Sequence, residues 1–325
     1  MALQQILCST KRADVIFLTY MPQQCTNALL SFIVNTERQI ICPGLGKGNK
    51  IMYENIKLVV ADIDGTLARQ SHEPSKNTLK MIEEVRKAGY LFGLASGRTL
   101  EDVINYYKEW GLDEQFDFII AWNGCELWDN TTQKRYQYNK ISKEGLKEIC
   151  QIMSKVDCVT SMYLPGIYLT NQENLKTMSS AMKSHRKLVV ADDVSDFYKQ
   201  ENCGIMFRFD ESMMSDVEKY LSQFKDKEYI SFKTQPNLIE FSHKDSNKAY
   251  ALKEFCKMHN IKLEDCMSFG DTTNDNAMLS CSTGICLCNG TEDTKACASA
   301  LTELDNEHDG CAHYIRKYLL KTISD

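Results

Sequence analysis

The chain has 325 residues, 43% of them hydrophobic and 25% charged, with a formal net charge of −6. That is length for about two ordinary domains and the balance of a soluble globular protein. The acidic charge excludes a general nucleic-acid binder, which carries a basic stripe, and no apolar run approaches the roughly 20 residues that cross a bilayer.

Residues 1–53 read as an N-terminal extension, flexible or not native. Lys11-Arg12 precede only a short apolar run, Val15 to Leu18, a poor match to a secretory leader. Gly44-Leu45-Gly46-Lys47-Gly48-Asn49-Lys50 fails both phosphate-loop templates, because no glycine stands five residues before Gly46 and Asn49 holds the last glycine place. A flexible loop is expected there. Met52 stands four residues before the first strand, so residues 1–51 are expected to come from an upstream misread of the start.

From Ile56 strands and helices alternate. The apolar run Leu58 to Ala61 ends in Asp62-Ile63-Asp64-Gly65-Thr66. Two carboxylates at a buried strand end, followed by a glycine turn, fall at the carboxyl edge where open α/β sheets bind ligands. A helix is expected from Lys76, capped by Ser75, with Leu79, Ile82, Val85 and Ala88 at helical spacing. Leu91 to Ala95 forms a second strand ending in Ser96-Gly97-Arg98. A helix carrying Leu100, Val103, Ile104 and Tyr107 leads to a strand that ends near Ala121, before Asn123-Gly124. This alternation implies a parallel sheet covered on both faces.

The pattern changes around Tyr138. A helix over 143–155, strands Cys158 to Leu164 and Ile167 to Thr170, a strand over 204–209, a helix over 211–224 and a strand over 229–234 make an α+β insertion over 138–238. Ile239 to Ser242 is expected to lead back to the core, which comprises residues 54–137 and 239–325. Lys248 opens a helix with Ala249, Leu252, Phe255 and Cys256 on one side. Cys266 to Phe269 then runs into Gly270-Asp271-Thr272-Thr273-Asn274-Asp275. Asp271 and Asp275, one helical turn apart, can face one point. Fourteen cysteines are scattered along the chain. Cys150, Cys203, Cys256, Cys266 and Cys286 sit in apolar runs and read as small buried hydrophobes of a reducing, hence cytoplasmic, compartment. The group around Cys286-Leu287-Cys288 lacks zinc-ligand spacing. The six histidines form no ligand spacing and read as bystanders.

Strand then acids, strand then hydroxyl, a lysine, strand then acids: this constellation resembles the haloacid dehalogenase-like hydrolases, specifically the Cof-type (subfamily IIB) sugar-phosphatase branch. Asn123-Gly124 and Asn306-Glu307-His308-Asp309-Gly310-Cys311-Ala312 fit that branch too. Tyr250 departs from it, since a small residue often follows the lysine turn. The resemblance implies a Rossmann-like α/β core with a C2B-type α+β cap. It implies hydrolysis of small phosphorylated metabolites, sugar phosphates foremost, with neither nucleic acid, membrane nor partner protein involved.

Phosphate-ester hydrolysis needs a nucleophile, a proton donor and neutralisation of phosphate charge. The resemblance gives Asp62 the nucleophile's role, forming an aspartyl-phosphate, and Asp64 the acid/base role, which typically contributes about 10²–10⁴-fold. Mg²⁺ is the expected cofactor, since it favours oxygen ligands in an octahedron. Its expected ligands are the Asp62 carboxylate, the Asp64 backbone carbonyl and Asp271, with Asp275 ligating or holding a ligand water. Ser96, the Gly97 N–H and Lys248 would hold the phosphoryl oxygens, and Asn274 would contact substrate. A phosphomutase, a trehalose- or sucrose-phosphate phosphatase, and a catalytically silent regulatory protein are the alternatives on the same scaffold.

Overall fold

The computed structural model describes residues 53–112 and 116–323. The expectations for the start site, the leader and the Gly44–Lys50 loop lie outside the described residues. Tyr53, placed with the extension on sequence grounds, shares a 2.6 Å hydroxyl hydrogen bond with Tyr314 near the far end of the chain.

The elements follow in chain order: β1 (Leu58–Asp62), α1 (Lys76–Lys87), β2 (Leu91–Ala95), α2 (Leu100–Glu109), β3 (Phe118–Ala121), β4 (Glu126–Asp129) and β5 (Lys134–Gln137). Next come α3 (Lys143–Met153), β6 (Val159–Leu164), β7 (Ile167–Thr170), α4 (Leu175–Lys183), β8 (Lys187–Val190), β9 (Gly204–Arg208), α5 (Met214–Leu221), β10 (Tyr229–Gln235) and β11 (Leu238–His243). The chain closes with α6 (Lys248–Met258), β12 (Cys266–Gly270), α7 (Asn276–Cys281), β13 (Thr283–Cys286), α8 (Glu292–Cys297), β14 (Ala300–Leu301) and α9 (Gly310–Tyr314).

The first sheet has the order β14-β13-β12-β1-β2-β3-β4-β5. Its strands run parallel from β14 to β3, and β4 and β5 add an antiparallel edge. This is the parallel α/β core expected from the alternation of elements. Period-2 geometry divides β1 between two covered faces. Val59 and Ala61 pack with Met81, Ile82 and Val85 of α1, whereas Leu58 and Val60 pack with Ala251, Leu252 and Phe255 of α6. Ser75 caps α1 as expected, accepting a hydrogen bond from the Thr78 N–H.

The second sheet, β10-β11-β9-β6-β7-β8, comes entirely from the insertion. Here one boundary is corrected. Ile239 to Ser242 does not lead back to the core but lies within β11, paired on one side to β10 and on the other to β9. Its alternation suits a half-covered strand in either sheet, so the pattern alone carried no sheet assignment. The helix expected over 211–224 is also shorter, a 3-10 turn over Glu211–Met213 followed by α5. Among the described residues no helix is long and apolar enough to cross a membrane.

Candidate active site

β1 stops at Asp62, and its neighbours stop level with it. Asp62 pairs with Ala95 on β2, and Ala61 with Phe269 on β12. Ser96 and Asp271 therefore follow at the same carboxyl edge of the sheet, on either side of Asp62. Asn247 caps α6 by accepting from the Tyr250 N–H, which sets Lys248 as the first helical residue. Gly124 lets that cap come close: a Cβ there would lie 2.0 Å from the Asn247 carbonyl oxygen, and its φ is +91°. Tyr250, the departure from the expected small residue, packs edge-on against Tyr138.

Carboxylate oxygens of Asp62, Asp271 and Asp275 lie within 4.8 Å of one another, and all three residues are buried. The Lys248 Nζ, fully buried, donates to Asp62 Oδ1 at 2.5 Å and to Asp275 Oδ1 at 2.7 Å. Asp275 Oδ2 accepts from the backbone N–H groups of Asp271 and Thr272. Asp271 Oδ1 accepts the Thr66 hydroxyl at 3.0 Å, and a Cβ on Gly65 would stand 2.3 Å from Asp271 Oδ2. Thus Gly65 both turns the chain, at φ +82°, and makes room for the second acid.

Three buried carboxylates share one buried lysine, which leaves an excess of negative charge away from water. Burial pushes the Asp62 carboxyl up; Lys248 pulls it back, and Asp275 and Asp271 push it further, so it stands well above the usual range. Asp271 is pushed up to about 6, by burial first and then by Asp275. Lys248 is raised despite its burial, because Asp275 and Asp62 hold its charge. Hard carboxylate oxygens with surplus negative charge fit a divalent cation with oxygen preference. Among the described residues this is the only group of three or more such side chains close enough to hold one.

The Asp64 carboxylate stands outside that cluster. Arg98 grips it with two hydrogen bonds, Nε at 2.8 Å and Nη2 at 2.7 Å, and His72 Nδ1 lies 3.6 Å away. Partial burial raises the carboxyl, but Arg98 and then His72 outweigh it and hold Asp64 below its ordinary value. His72 is therefore no bystander, and Arg98 is the residue that sequence reasoning passed over. Its only signal was its place directly after Ser96-Gly97.

Ser96 is buried, and its Oγ accepts from the Arg98 N–H at 3.1 Å. A Cβ on Gly97 would come 3.3 Å from the Asn123 side-chain oxygen, and the Asn274 amide donates to that same oxygen at 3.2 Å. Asn123 thus bridges the loops after β2 and β12. The segment after Asp64 is braced by distant residues: Asn289 donates to the Gly65 carbonyl, Asn306 to the Ala68 carbonyl, and Arg69 pairs with Asp309 at 2.9 Å.

The second sheet reaches this edge at three places. The Trp122 indole N–H donates to Glu240 at 2.9 Å. Arg186 donates to Thr99 and to Asp102, each at 2.6 Å. Cys125 and Cys203 form a disulfide. This last contact corrects the reading of Cys203 as a free buried hydrophobe; 78 residues separate the two, so no local spacing announced the pair.

The family described as haloacid dehalogenase-like hydrolase matches residues 59–315. Phosphatase YwpJ of Bacillus subtilis (strain 168) is 24% identical over 290 residues, spanning 81% of this chain and 100% of the relative. A crystal structure of a haloacid dehalogenase-like hydrolase from Bacteroides thetaiotaomicron superposes with a TM-score of 0.72 at 22% identity, covering 81% of this chain and 99% of that one. A haloacid dehalogenase subclass IIB sugar phosphatase superposes with a TM-score of 0.67 at 22% identity, covering 81% of this chain and 98% of its own.

Proposed function

This chain belongs to the haloacid dehalogenase-like hydrolases, and from that premise we propose that it is a Mg²⁺-dependent phosphatase of small phosphorylated metabolites, sugar phosphates foremost. The relatives named as phosphatase and sugar phosphatase support the reaction class. One observation carries the reading: Lys248 bridges Asp62 and Asp275 inside a buried group that includes Asp271. Such an uncompensated cluster is costly to bury, and it has no packing rationale at a strand edge.

In this reading the Asp62 carboxylate attacks phosphorus and the bond to the leaving alcohol oxygen breaks, with Asp64 delivering the proton that oxygen needs. Water then attacks the phosphorus of the aspartyl-phosphate, Asp64 takes its proton, and inorganic phosphate leaves with Asp62 restored. Lys248 turns its donors from Asp62 to the phosphoryl oxygens. The Ser96 hydroxyl, whose proton has no acceptor among the described residues, and the Gly97 N–H join it, while Asn274 orients the substrate through Asn123. Asp62, Asp271 and the Asp64 backbone carbonyl, with Asp275 beside them, would hold a divalent cation, which would neutralise phosphate charge. Arg98 keeps Asp64 ionised, the form that accepts a proton from water. Loosening of that grip lets Asp64 take up a proton from solvent, which it then gives to the leaving oxygen in the first half.

The test separates Asp62 from Asp64. Given p-nitrophenyl phosphate and Mg²⁺, Asp64→Asn should trap an acid-stable, hydroxylamine-labile phosphoryl group on Asp62, because p-nitrophenolate leaves with little protonation while dephosphorylation stalls. Label mapping elsewhere, or Asp62→Asn retaining parental activity, would defeat this reading. A catalytically silent protein would show no turnover at all.

A further inference from the structure

The second sheet has two unlike faces. Met162, Ile205, Phe207, Ile239 and Phe241 pack against α3 and α5. The alternate positions Tyr163, Arg208 and Glu240 lie on the opposite face. That face meets the first domain's site edge, as the Trp122–Glu240 hydrogen bond and the Arg186 contacts require. Between it and α2 opens a cleft of about 660 Å³ whose wall includes Arg98, the residue that grips Asp64. Arg98 thus joins this space to Asp64, the residue that handles the leaving group in the reading above.

Basic side chains outnumber the acids that line that cleft. Lys176, Lys183 and Arg208 line it, and among the described residues none of the three has a carboxylate within ion-pair distance. Of the two acids there, Asp102 is bound by Arg186 at 2.6 Å, and Glu109, 4.0 Å from the His185 ring, stays an uncompensated carboxylate at the rim. The lysines are exposed and alone would signify little. Arg208 is different: it is half-buried, and its Nη1 donates to Asn237 Oδ1 at 2.7 Å and Gln235 Oε1 at 3.0 Å. Two neutral acceptors fix the guanidinium without discharging it. A planar guanidinium held this way presents its remaining N–H groups for bidentate recognition of an anion.

We infer that Arg208, supported by Lys176 and Lys183, binds a second anionic group on the substrate, so that the preferred substrates are phosphomonoesters whose alcohol carries a carboxylate or another phosphate. This rests on the phosphatase reading above. It assigns Arg208 as a specificity-determining residue that takes no part in the chemistry at Asp62.

The experiment compares kcat/KM for glucose 6-phosphate with that for 6-phosphogluconate and for fructose 1,6-bisphosphate, in the parent protein, Arg208→Gln and Arg208→Lys, with p-nitrophenyl phosphate as a general substrate. The parent should prefer at least one doubly anionic substrate about tenfold or more, the scale of one charge-assisted hydrogen-bonded pair. The preferred member tells carboxylate from phosphate. Arg208→Gln should bring the ratio close to one, and Arg208→Lys should leave an intermediate ratio. Because each ratio is taken within one preparation, a misfolded fraction cancels. No preference in the parent, or a parental ratio in Arg208→Gln, overturns the inference while leaving the phosphatase reading intact. Absence of turnover on every ester, p-nitrophenyl phosphate included, overturns both.

Discussion

Replacing Asp271 by asparagine should stabilise the metal-free protein at neutral pH while abolishing its activity. Burial and the neighbouring Asp275 raise the Asp271 carboxyl from 3.8 to about 6. A raised acid binds its proton more tightly folded than unfolded, so the folded state loses stability as pH climbs from about 4 through 6. Two pKa units correspond to roughly 3 kcal/mol of penalty once the group is ionised. Asparagine keeps the oxygen that accepts the Thr66 hydroxyl and carries no charge. In chelator at pH 7.5, Asp271→Asn should therefore gain up to roughly 3 kcal/mol, a rise in melting temperature of about 2–4 °C per kcal/mol for a protein of this size. At pH 4 the gain should vanish. Mg²⁺ should raise the melting temperature of the parent at pH 7.5 and leave the variant almost unmoved, because binding to the folded state alone shifts the equilibrium. Thermal melts at the two pH values, with chelator and with Mg²⁺, give all four numbers. If Asp271→Asn is less stable than the parent in chelator at pH 7.5, the electrostatic account of this cluster is wrong.

Lys248→Met should cost about 3–5 kcal/mol, read from urea melts at pH 7.5, because it strands two buried carboxylates; a parental midpoint would contradict the pairing. Glu240 is pushed up to about 7 by burial, against the pull of the Trp122 N–H. Its folded value lies above the ordinary 4.5, so its contribution to stability falls as pH rises through that interval. Tryptophan fluorescence should titrate with a midpoint near 7 and lose that transition in Glu240→Gln. Reduction of Cys125–Cys203, which closes a 78-residue separation, should lower stability by about 2–4 kcal/mol. Melting with and without dithiothreitol measures it, and Cys203→Ser should already sit at the reduced value.

The acids at the site were readable because they violate their surroundings. Asp62 ends a run of four buried apolar residues, and Asp271 follows another such strand, so neither has a reason of packing to be there. Lys248 was harder, since its sequence neighbourhood is an ordinary amphipathic helix and only the fold shows it fully buried between two carboxylates. Arg98 and His72 could not be found by spacing. His72 reaches Asp64 through a turn braced by Arg69 to Asp309, and Arg98 reaches it from a different loop, held by Ser96 and the Trp122 N–H.

The second sheet was less readable for a related reason. Strands exposed on one face alternate, and alternation says which residues share a face but not which sheet receives the strand. Ile239 and Phe241 join the covered face, so their neighbour Glu240 must turn toward the first sheet's site edge, where Trp122 meets it. Arg208 shares that turn by pairing with Leu238. An exposed arginine on an isolated strand would be solvent-facing and uninformative. Placed opposite Arg98 across a cleft, with neutral amides for company, the same residue becomes a candidate reader of substrate charge. Specificity here is a property of how two sheets face each other, and that information does not reside in any short stretch of chain.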